Sequence, residues 1–112
     1  MGEDRTPYLL ALTTCPDRET AERVAGSLVS ERLAACVSVV QGLTSFYEWE
    51  GEIQKDEEFL LLIKTRRERF DTLKDALLRL HPYELPELVG VALDTGLDGY
   101  LRWIDRCVDL EH

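Results

Sequence analysis

The spacing of apolar residues predicts a strand and then a helix at the start of the chain. The run Tyr8–Leu12 is apolar and the break Thr13–Asp17 is polar, which predicts a strand that ends at a turn. Asp17 suits a helix N-cap, and Glu19 in the first turn complements the helix dipole. The helix ends near residue 31 or 32. Its apolar residues at helical spacing are Ala21, Val24, Ala25, Leu28 and Val29.

Residues 35–65 have the composition and spacing of apolar residues that are typical of β-strands. Residues Ala35–Val40 are largely β-branched, and Gln41-Gly42 interrupts them. In Thr44–Glu50 polar and aromatic residues alternate, which is typical of a half-buried strand, and Gly51 favours a hairpin turn there. The apolar block Phe59–Ile63 predicts a further strand over residues 57–65.

The last third of the chain predicts two helices and one strand. A helix that begins with the charged run 66–69 and stops before Pro82 carries an apolar stripe. Leu88–Leu93 predicts a fourth strand, and Asp98 begins a short C-terminal helix. The stripe of the first of these helices consists of Phe70, Leu73, Leu77 and Leu80, and that of the second consists of Tyr100, Leu101, Ile104 and Val108.

This order is β-α-β-β-α-β with a trailing helix, the split βαβ pattern of ferredoxin-like folds. The sequence therefore predicts an α+β protein with a four-stranded antiparallel sheet. The 112 residues fit one domain, which we assign to residues 1–109. The tripeptide Leu110-Glu111-His112 resembles the start of a vector-derived histidine tag, so we exclude it from reasoning about sites.

Three predicted strands are apolar on both faces. A sheet with helices on one face and water on the other alternates apolar and polar residues, whereas Tyr8–Leu12, Phe59–Ile63 and Val91–Leu93 do not. Leaving apolar area in water rather than burying it costs about 25 cal/mol per Å². We therefore expect other protein atoms to cover these outward-facing residues. We predict that other copies of the chain supply this cover; the alternative is that the third helix crosses the open face.

Charge narrows the choice of partners. The chain has 13 Lys+Arg against 22 Asp+Glu and a formal net charge of -9. This field repels phosphate backbones and anionic lipids, which argues against nucleic acid and membrane partners but leaves cationic ligands open. No apolar run approaches the ~20 residues of a membrane span, and the N-terminus lacks the pattern of a signal peptide.

The three cysteines are Cys15, Cys36 and Cys107, and they form no C-x-x-C pair. We interpret them as reduced thiols of a cytoplasmic protein. Cys36 in a strand favours core packing. Cys15 precedes a helix, whose N-terminus lowers the pKa of a thiol, so it is a candidate soft metal ligand or redox-sensitive site; an ordinary turn residue is the alternative.

The most unusual segment is 80–87, where two prolines stiffen a polar turn. His81 with Glu84 or Glu87 offers nitrogen and oxygen ligands to a divalent cation. The alternative is that His81 caps the last carbonyls of the preceding helix. Lys64 is a candidate anion-binding residue or a salt-bridge partner.

Catalytic motifs are absent from the sequence. There is no G-x-S-x-G, P-loop or G-x-G-x-x-G segment, and the two histidines are His81 and the suspected tag residue His112. We therefore predict a binding protein rather than an enzyme. Tyr47 and Trp49 point the same way along their strand, which is typical of a pocket or an interface.

Several motifs in order resemble the CutA family of divalent-cation tolerance proteins, over about residues 8–108. Some members of that family have a cysteine at the position of Thr13 and a histidine at that of Leu80, so His81 is what remains of that set here. The motifs are Thr13-Thr14-x-Pro16, Leu33-Ala34-Ala35-Cys36-Val37, Ser45-x-Tyr47-x-Trp49-x-Gly51, Glu58, Lys64-Thr65, His81-Pro82-Tyr83-x-x-Pro86-Glu87 and Tyr100-Leu101-x-Trp103-Ile104.

The resemblance implies a cytoplasmic homotrimer of ferredoxin-like subunits that binds copper or another divalent cation and has no established enzyme activity. It places conserved polar residues around clefts between subunits. The alternative function is that of a PII-like signalling or scaffolding trimer that binds a small anionic metabolite near Lys64 and Tyr83. The cleft residues that the resemblance implies are Cys36, Tyr47, Trp49, Glu58, Lys64, His81, Tyr83 and Glu87.

Overall fold

The structure is a computed structural model, and it describes residues 5–109. The suspected tag tripeptide lies outside these residues. A four-stranded antiparallel sheet has the order β2-β3-β1-β4. The α+β class and the predicted order of elements are therefore confirmed. The elements are β1 Tyr8–Cys15, α1 Arg18–Ser30, β2 Cys36–Trp49, β3 Glu52–Arg66, α2 Phe70–Leu80, β4 Val89–Ala92 and α3 Asp98–Cys107, with a 3₁₀ turn Arg67–Arg69 before α2.

Several strand boundaries differ from the prediction. Strand β3 begins at Glu52, five residues before the predicted start at residue 57. Strand β1 continues through the polar residues to Cys15, because its backbone pairs with β3 as far as Phe59 and the buried Thr13 hydroxyl donates a hydrogen bond to the Glu87 carbonyl at 2.6 Å. Strand β2 continues through Gln41-Gly42 instead of ending there. Polar residues can thus extend a strand when the ladder and a side-chain partner satisfy them.

Helices α1 and α2 cover one face of the sheet. The fully buried Leu61 and Ile63 of β3 pack there with Val24 of α1 and Leu73 of α2. The predicted N-cap is confirmed, since the Asp17 carboxylate accepts a hydrogen bond from the Thr20 amide at 2.8 Å. One chain completes this core by itself.

Helix α3 lies on the opposite face, at one end. Tyr8 of β1 and Arg66 of β3 are register partners, and their side chains lie on the face of the sheet away from α1 and α2. Both side chains form hydrogen bonds with Asp105 of α3. Ile104 and Val108 pack there as the smaller of two buried clusters. The third helix therefore does not cross the whole face.

The rest of that face, which we call the open face, is uncovered by the described chain. Leu10, Leu12, Leu60 and Leu62 are half-buried, and Val91 of β4 is 48% exposed. These residues share one side, since Leu10 is opposite Val91 and Leu12 is opposite Leu62. The prediction that apolar residues lie on both faces of the strands is confirmed. Among residues 5–109, no helix combines the length and hydropathy that a membrane span needs.

Candidate functional site: an acidic cleft beside a β-hairpin arm

A β-bulge decides which side chains of the long β2–β3 hairpin lie on the open face. Val40 is opposite Leu60 and Leu43 is opposite Glu58, so β2 has one residue more than β3 over this stretch. Gly42 lies in the bulge with a φ of 92°, a left-handed conformation that glycine adopts without a steric penalty. The extra residue reverses the alternation of β2 beyond it.

As a result, Tyr47 and Trp49 lie on the same side of the sheet as Glu58. Tyr47 is opposite Gln54 and Trp49 is opposite Glu52, and these β3 residues alternate in step with Glu58. Tyr47 and Trp49 are 42% and 44% exposed. The bulge thus assembles an aromatic and acidic surface that a regular strand would split between two faces.

This surface and the loop after α2 enclose a cleft of about 870 Å³, which we call the acidic cleft. The hairpin supplies one wall, and residues 83–87 supply the other. The two prolines of that loop, Pro82 and Pro86, were predicted to stiffen it; Glu84 lies between them and Glu87 directly follows the second. The side chains that matter for the argument are Tyr47, Trp49, Asp56, Glu58, Tyr83 and Glu87, with Glu84 beside them.

Two tyrosines hold the carboxylates of the cleft. The Tyr83 hydroxyl donates a hydrogen bond to Glu58 Oε2 at 2.8 Å, and the Tyr47 hydroxyl donates one to Asp56 Oδ2. Burial and then the hydrogen bond to Glu58 raise the pKa of Tyr83 above its usual value. The hydrogen bond to Asp56 is the main cause that raises the pKa of Tyr47. Both phenols therefore stay protonated donors at neutral pH.

His81 holds the loop in place through both ring nitrogens. Nδ1 accepts a hydrogen bond from the Tyr83 amide at 3.1 Å, so Nε2 carries the proton and donates to the Thr14 carbonyl at 2.7 Å. The ring is buried and joins the end of α2 to the end of β1. A metal ion would have to displace one of these bonds, so this geometry makes His81 a positioning residue for Tyr83 and does not support its predicted role as a ligand.

The structure also argues against Cys15 as a soft ligand. Its side chain is fully buried, and burial, followed by the charges of Asp17 and Glu58, raises its pKa to about 11. This is the opposite of the lowering predicted from the helix N-terminus, because the thiol lies in the core rather than at the entrance of α1.

Cys36 and Lys64 lie at the other end of the open face, near α3. Lys64 is six residues from Glu58 along β3, about 20 Å at ~3.3 Å per residue. Its Nζ donates a hydrogen bond to Ser38 Oγ at 2.9 Å, and Cys36 is its register partner. Within one copy, the structure brings together five of the eight predicted cleft residues. It leaves Cys36 and Lys64 outside, and it places His81 behind Tyr83 rather than in the lining.

Sequence reasoning missed Asp56 and the bulge. Two signals were available: Asp56 is two residues before Glu58 on the same strand, and the Gln41-Gly42 pair interrupts an otherwise continuous strand. Within residues 5–109, no group of three or more His, Cys, Asp or Glu side chains is arranged to hold a metal ion.

The fold and the cleft together define a class of small α+β proteins with a ferredoxin-like element order and a ligand-sized cleft at one end of an open sheet. Residues 9–107 match the family model of the CutA1 divalent ion tolerance protein. The chain belongs to this family, which confirms the resemblance found in the sequence.

Known relatives and a solved structure support the assignment to this family. The chain is 47% identical over 95 residues to a divalent-cation tolerance protein CutA of Thermus thermophilus, which covers 85% of this chain and 92% of that protein. It is 42% identical over 98 residues to chloroplastic CutA of Arabidopsis thaliana, with 88% of this chain and 54% of that protein covered. The crystal structure of CutA from Xylella fastidiosa superposes with a TM-score of 0.90 at 42% identity and covers 93% of this chain and 100% of that one.

Proposed function

We propose that the protein binds divalent cations and contributes to divalent-cation tolerance. The observation that carries the proposal is the match of residues 9–107 to the CutA1 divalent ion tolerance family. The net charge of -9 and the acidic cleft support it, because both attract cations.

The donors of the acidic cleft favour hard divalent cations over copper. Asp56, Glu58, Glu84 and Glu87 offer carboxylate oxygens, which suit Mg²⁺, Mn²⁺ and Ca²⁺. The imidazole of His81 and the thiol of Cys15, which suit copper, are buried and bonded or protonated. We therefore propose carboxylate ligation, completed by a second copy of the chain, and copper stays a prediction to be tested beside it.

A homotrimer is part of the proposal. The half-buried Leu10, Leu12, Leu60 and Leu62 of the open face support a cover by other copies. Cys36 and Lys64 lie about 20 Å from Glu58, so they can join the acidic cleft only when another copy supplies them. The cleft would then lie between subunits, as the family resemblance implies.

We further propose a binding role in the cytoplasm rather than catalysis. The free thiols of Cys15, Cys36 and Cys107 support a reducing compartment, although a relative in Arabidopsis is named chloroplastic. The PII-like alternative is not favoured, because the family model that matches residues 9–107 is that of a divalent ion tolerance protein.

The assembly is tested by replacing Leu62 with Glu at the centre of the open face. We expect wild-type protein to sediment at three times the mass of one chain and Leu62→Glu at the mass of one chain with its helical circular dichroism retained. The matched control is Leu78→Glu on the outer side of α2, where Leu78 is already 57% exposed, and it should stay trimeric. A Leu62→Glu protein as large as wild type would reject the proposed interface.

Cation binding is tested by calorimetric titration of tag-free protein with Mn²⁺, Mg²⁺ and Cu²⁺. We expect Glu58→Gln to weaken Mn²⁺ binding at least ten-fold, since it removes the charge of a buried carboxylate. The matched control is Glu57→Gln on the other side of β3, which should change binding less than two-fold. His81→Ala tests the copper prediction on its own. Indistinguishable Cu²⁺ isotherms for this variant and wild type would exclude His81 as a copper ligand.

A further inference from the structure

Glu58 is a buried carboxylate whose charge has no counter-ion within one copy. The residue is 6% exposed, and the Tyr83 hydroxyl donates a hydrogen bond to Oε2, which leaves Oε1 without a partner among residues 5–109. A buried charge without a counter-ion is costly, so the assembled protein is expected to supply one. The ion pairs described for residues 5–109 hold other carboxylates, those of Glu22, Glu31, Glu68 and Asp105.

Lys64 carries the complementary charge on the same face of β3. This strand has three cationic residues, of which Lys55 alternates to the opposite face and Arg66 is paired with Asp105. The half-buried Lys64 donates from Nζ to the neutral Ser38 hydroxyl, and it has no carboxylate partner among residues 5–109. The open face of one copy therefore holds one unpaired anion and one unpaired strand cation.

These two charges cannot meet within one copy, but a second copy can bring them together. Six residues of β3 separate Glu58 from Lys64, or about 20 Å at ~3.3 Å per residue, and Leu60 and Leu62 lie between them. A copy laid head-to-tail over the open face brings its Lys64 end to the acidic cleft while the leucines of both copies cover one another. Repeated contacts of this heterologous kind form closed rings. The same contact thus meets the need for an apolar cover and the need for a counter-ion.

We propose that Lys64 of a second copy is the counter-ion of Glu58 in the assembled cleft, and that a divalent cation binds there by displacing the lysine ammonium group. This inference rests on the homotrimer and the cation binding of the proposed function, and it names the residue that regulates that site. Because Tyr83 holds Oε2, the ammonium group and the metal ion both need Oε1, so they compete. The Ser38 hydroxyl is an acceptor to which the displaced ammonium group can return.

A double-mutant cycle of assembly tests the ion pair. Glu58→Gln and Lys64→Met each leave the opposite charge buried and unpaired, so each should raise the dissociation constant of the trimer about ten-fold. The double variant removes both charges and should assemble no worse than either single variant, whereas independent sites would multiply to about a hundred-fold. The measurement is sedimentation over a dilution series in EDTA, at a urea concentration that half dissociates the wild-type trimer.

Two controls isolate the charges. Glu57→Gln lies on the opposite face of β3, so its effect should simply multiply that of Lys64→Met. Lys64→Arg keeps the positive charge and should stay within about two-fold of wild type in assembly. Independent effects of Glu58→Gln and Lys64→Met would overturn the ion pair. Equal assembly of Lys64→Met and Lys64→Arg would overturn it as well, and this comparison needs no variant at Glu58.

Calorimetric titration with Mn²⁺ tests the displacement. At protein concentrations where both proteins are trimers, Lys64→Met should bind Mn²⁺ about ten-fold more tightly than wild type, because no ammonium group competes for Oε1. Saturating Mn²⁺ should also restore the assembly of Lys64→Met, since a ligand stabilises the state that binds it. Mn²⁺ binding by Lys64→Met that is equal to or weaker than that of wild type would overturn the displacement.

The outcomes separate this inference from the proposed function. A trimeric wild type that binds Mn²⁺, with independent effects of the two variants, would reject Lys64 as the counter-ion and retain the proposed function. Coupled variants without any Mn²⁺ or Cu²⁺ binding would retain the ion pair and reject both the displacement and the cation-tolerance proposal. A wild type that sediments as a single chain would reject the homotrimer and, with it, the ion pair.

Discussion

Strand β3 presents two faces that differ in how far one chain completes them. On the side of α1 and α2, Leu61 and Ile63 are fully buried. On the open face, the adjacent Leu60 and Leu62 are only half-buried, although they belong to the same apolar block. The difference shows that the chain's own helices cover only one face of this block.

The two faces also differ in chemistry. The helix-covered face is an apolar core, whereas the open face changes from an α3 end with Lys64, through a band of leucines, to an acidic and aromatic hairpin end. The face that is incomplete within one chain is therefore the one that carries the candidate site. The predictions below test this division between a structural and a functional face.

The largest effect on stability is expected from Leu61→Ala, compared with Leu62→Ala. Leu61 is fully buried, so its truncation should lower the free energy of unfolding by about 2–5 kcal/mol through lost burial and a cavity. Leu61→Ala should not change the mass of the assembly that sedimentation measures on dilution. Leu62→Ala should cost less stability but raise the protein concentration at which the assembly dissociates. Urea unfolding and sedimentation over a dilution series measure the two effects.

The comparison fails if the two variants behave alike. A Leu62→Ala protein that dissociates no more readily than wild type would mean that the open face is not an interface. A Leu61→Ala protein that loses assembly while keeping its stability would mean that the helix-covered core is not independent of the contact between copies.

The order of elements was predictable because each element has its own apolar period. The stripe of α2 repeats with helical spacing, and the block Phe59–Ile63 lies in a strand as expected. The end of β1 was not predictable from local sequence, because Thr13 is satisfied by the Glu87 carbonyl, which is 74 residues away in the chain. Long-range partners of this kind override a local turn signal.

The candidate site was predictable in its residue types but not in its grouping. Tyr47, Glu58 and Tyr83 were all predicted, and the structure brings them together. The separation of Lys64 from Tyr83 depends on strand register, which the sequence does not state. The ring of His81 was interpreted as a ligand or a cap of α2, whereas its bonds to Thr14 and Tyr83 appear only when β1 and the loop meet.

The next largest effect on the free energy of unfolding is expected at two glycines. One lies in the β2 bulge beside the open face, and the other lies in α1 on the helix-covered side. Gly42→Ala should lower the free energy of unfolding by about 1–2 kcal/mol, because alanine is strained at a φ of 92°. Gly26→Ala in α1 should instead raise it by about 0.5–1 kcal/mol, since alanine is the better helix former. An added Cβ meets nothing within 4 Å at either position, so backbone conformation alone sets the two signs.

Urea unfolding of both variants measures these changes, and the indole N–H signal of Trp49 reports whether the hairpin keeps its register. A Gly42→Ala protein as stable as wild type would show that the bulge does not need a left-handed residue. In that case the placement of Tyr47 and Trp49 on the open face would have to be maintained by side-chain contacts alone.

The smallest effect is expected at the N-cap of α1, on the helix-covered side. The hydrogen bonds from Thr20 lower the pKa of Asp17, so the ionised cap stabilises the fold at pH above the unfolded value of about 3.9. This contribution is lost as the pH falls through the lowered folded-state pKa. Asp17→Asn keeps the acceptor but does not titrate, so its deficit against wild type should be larger at pH 7 than at pH 2. Thermal unfolding of both proteins at these pH values measures it, and a deficit of equal size at the two would show that the charge of Asp17 plays no part in the cap.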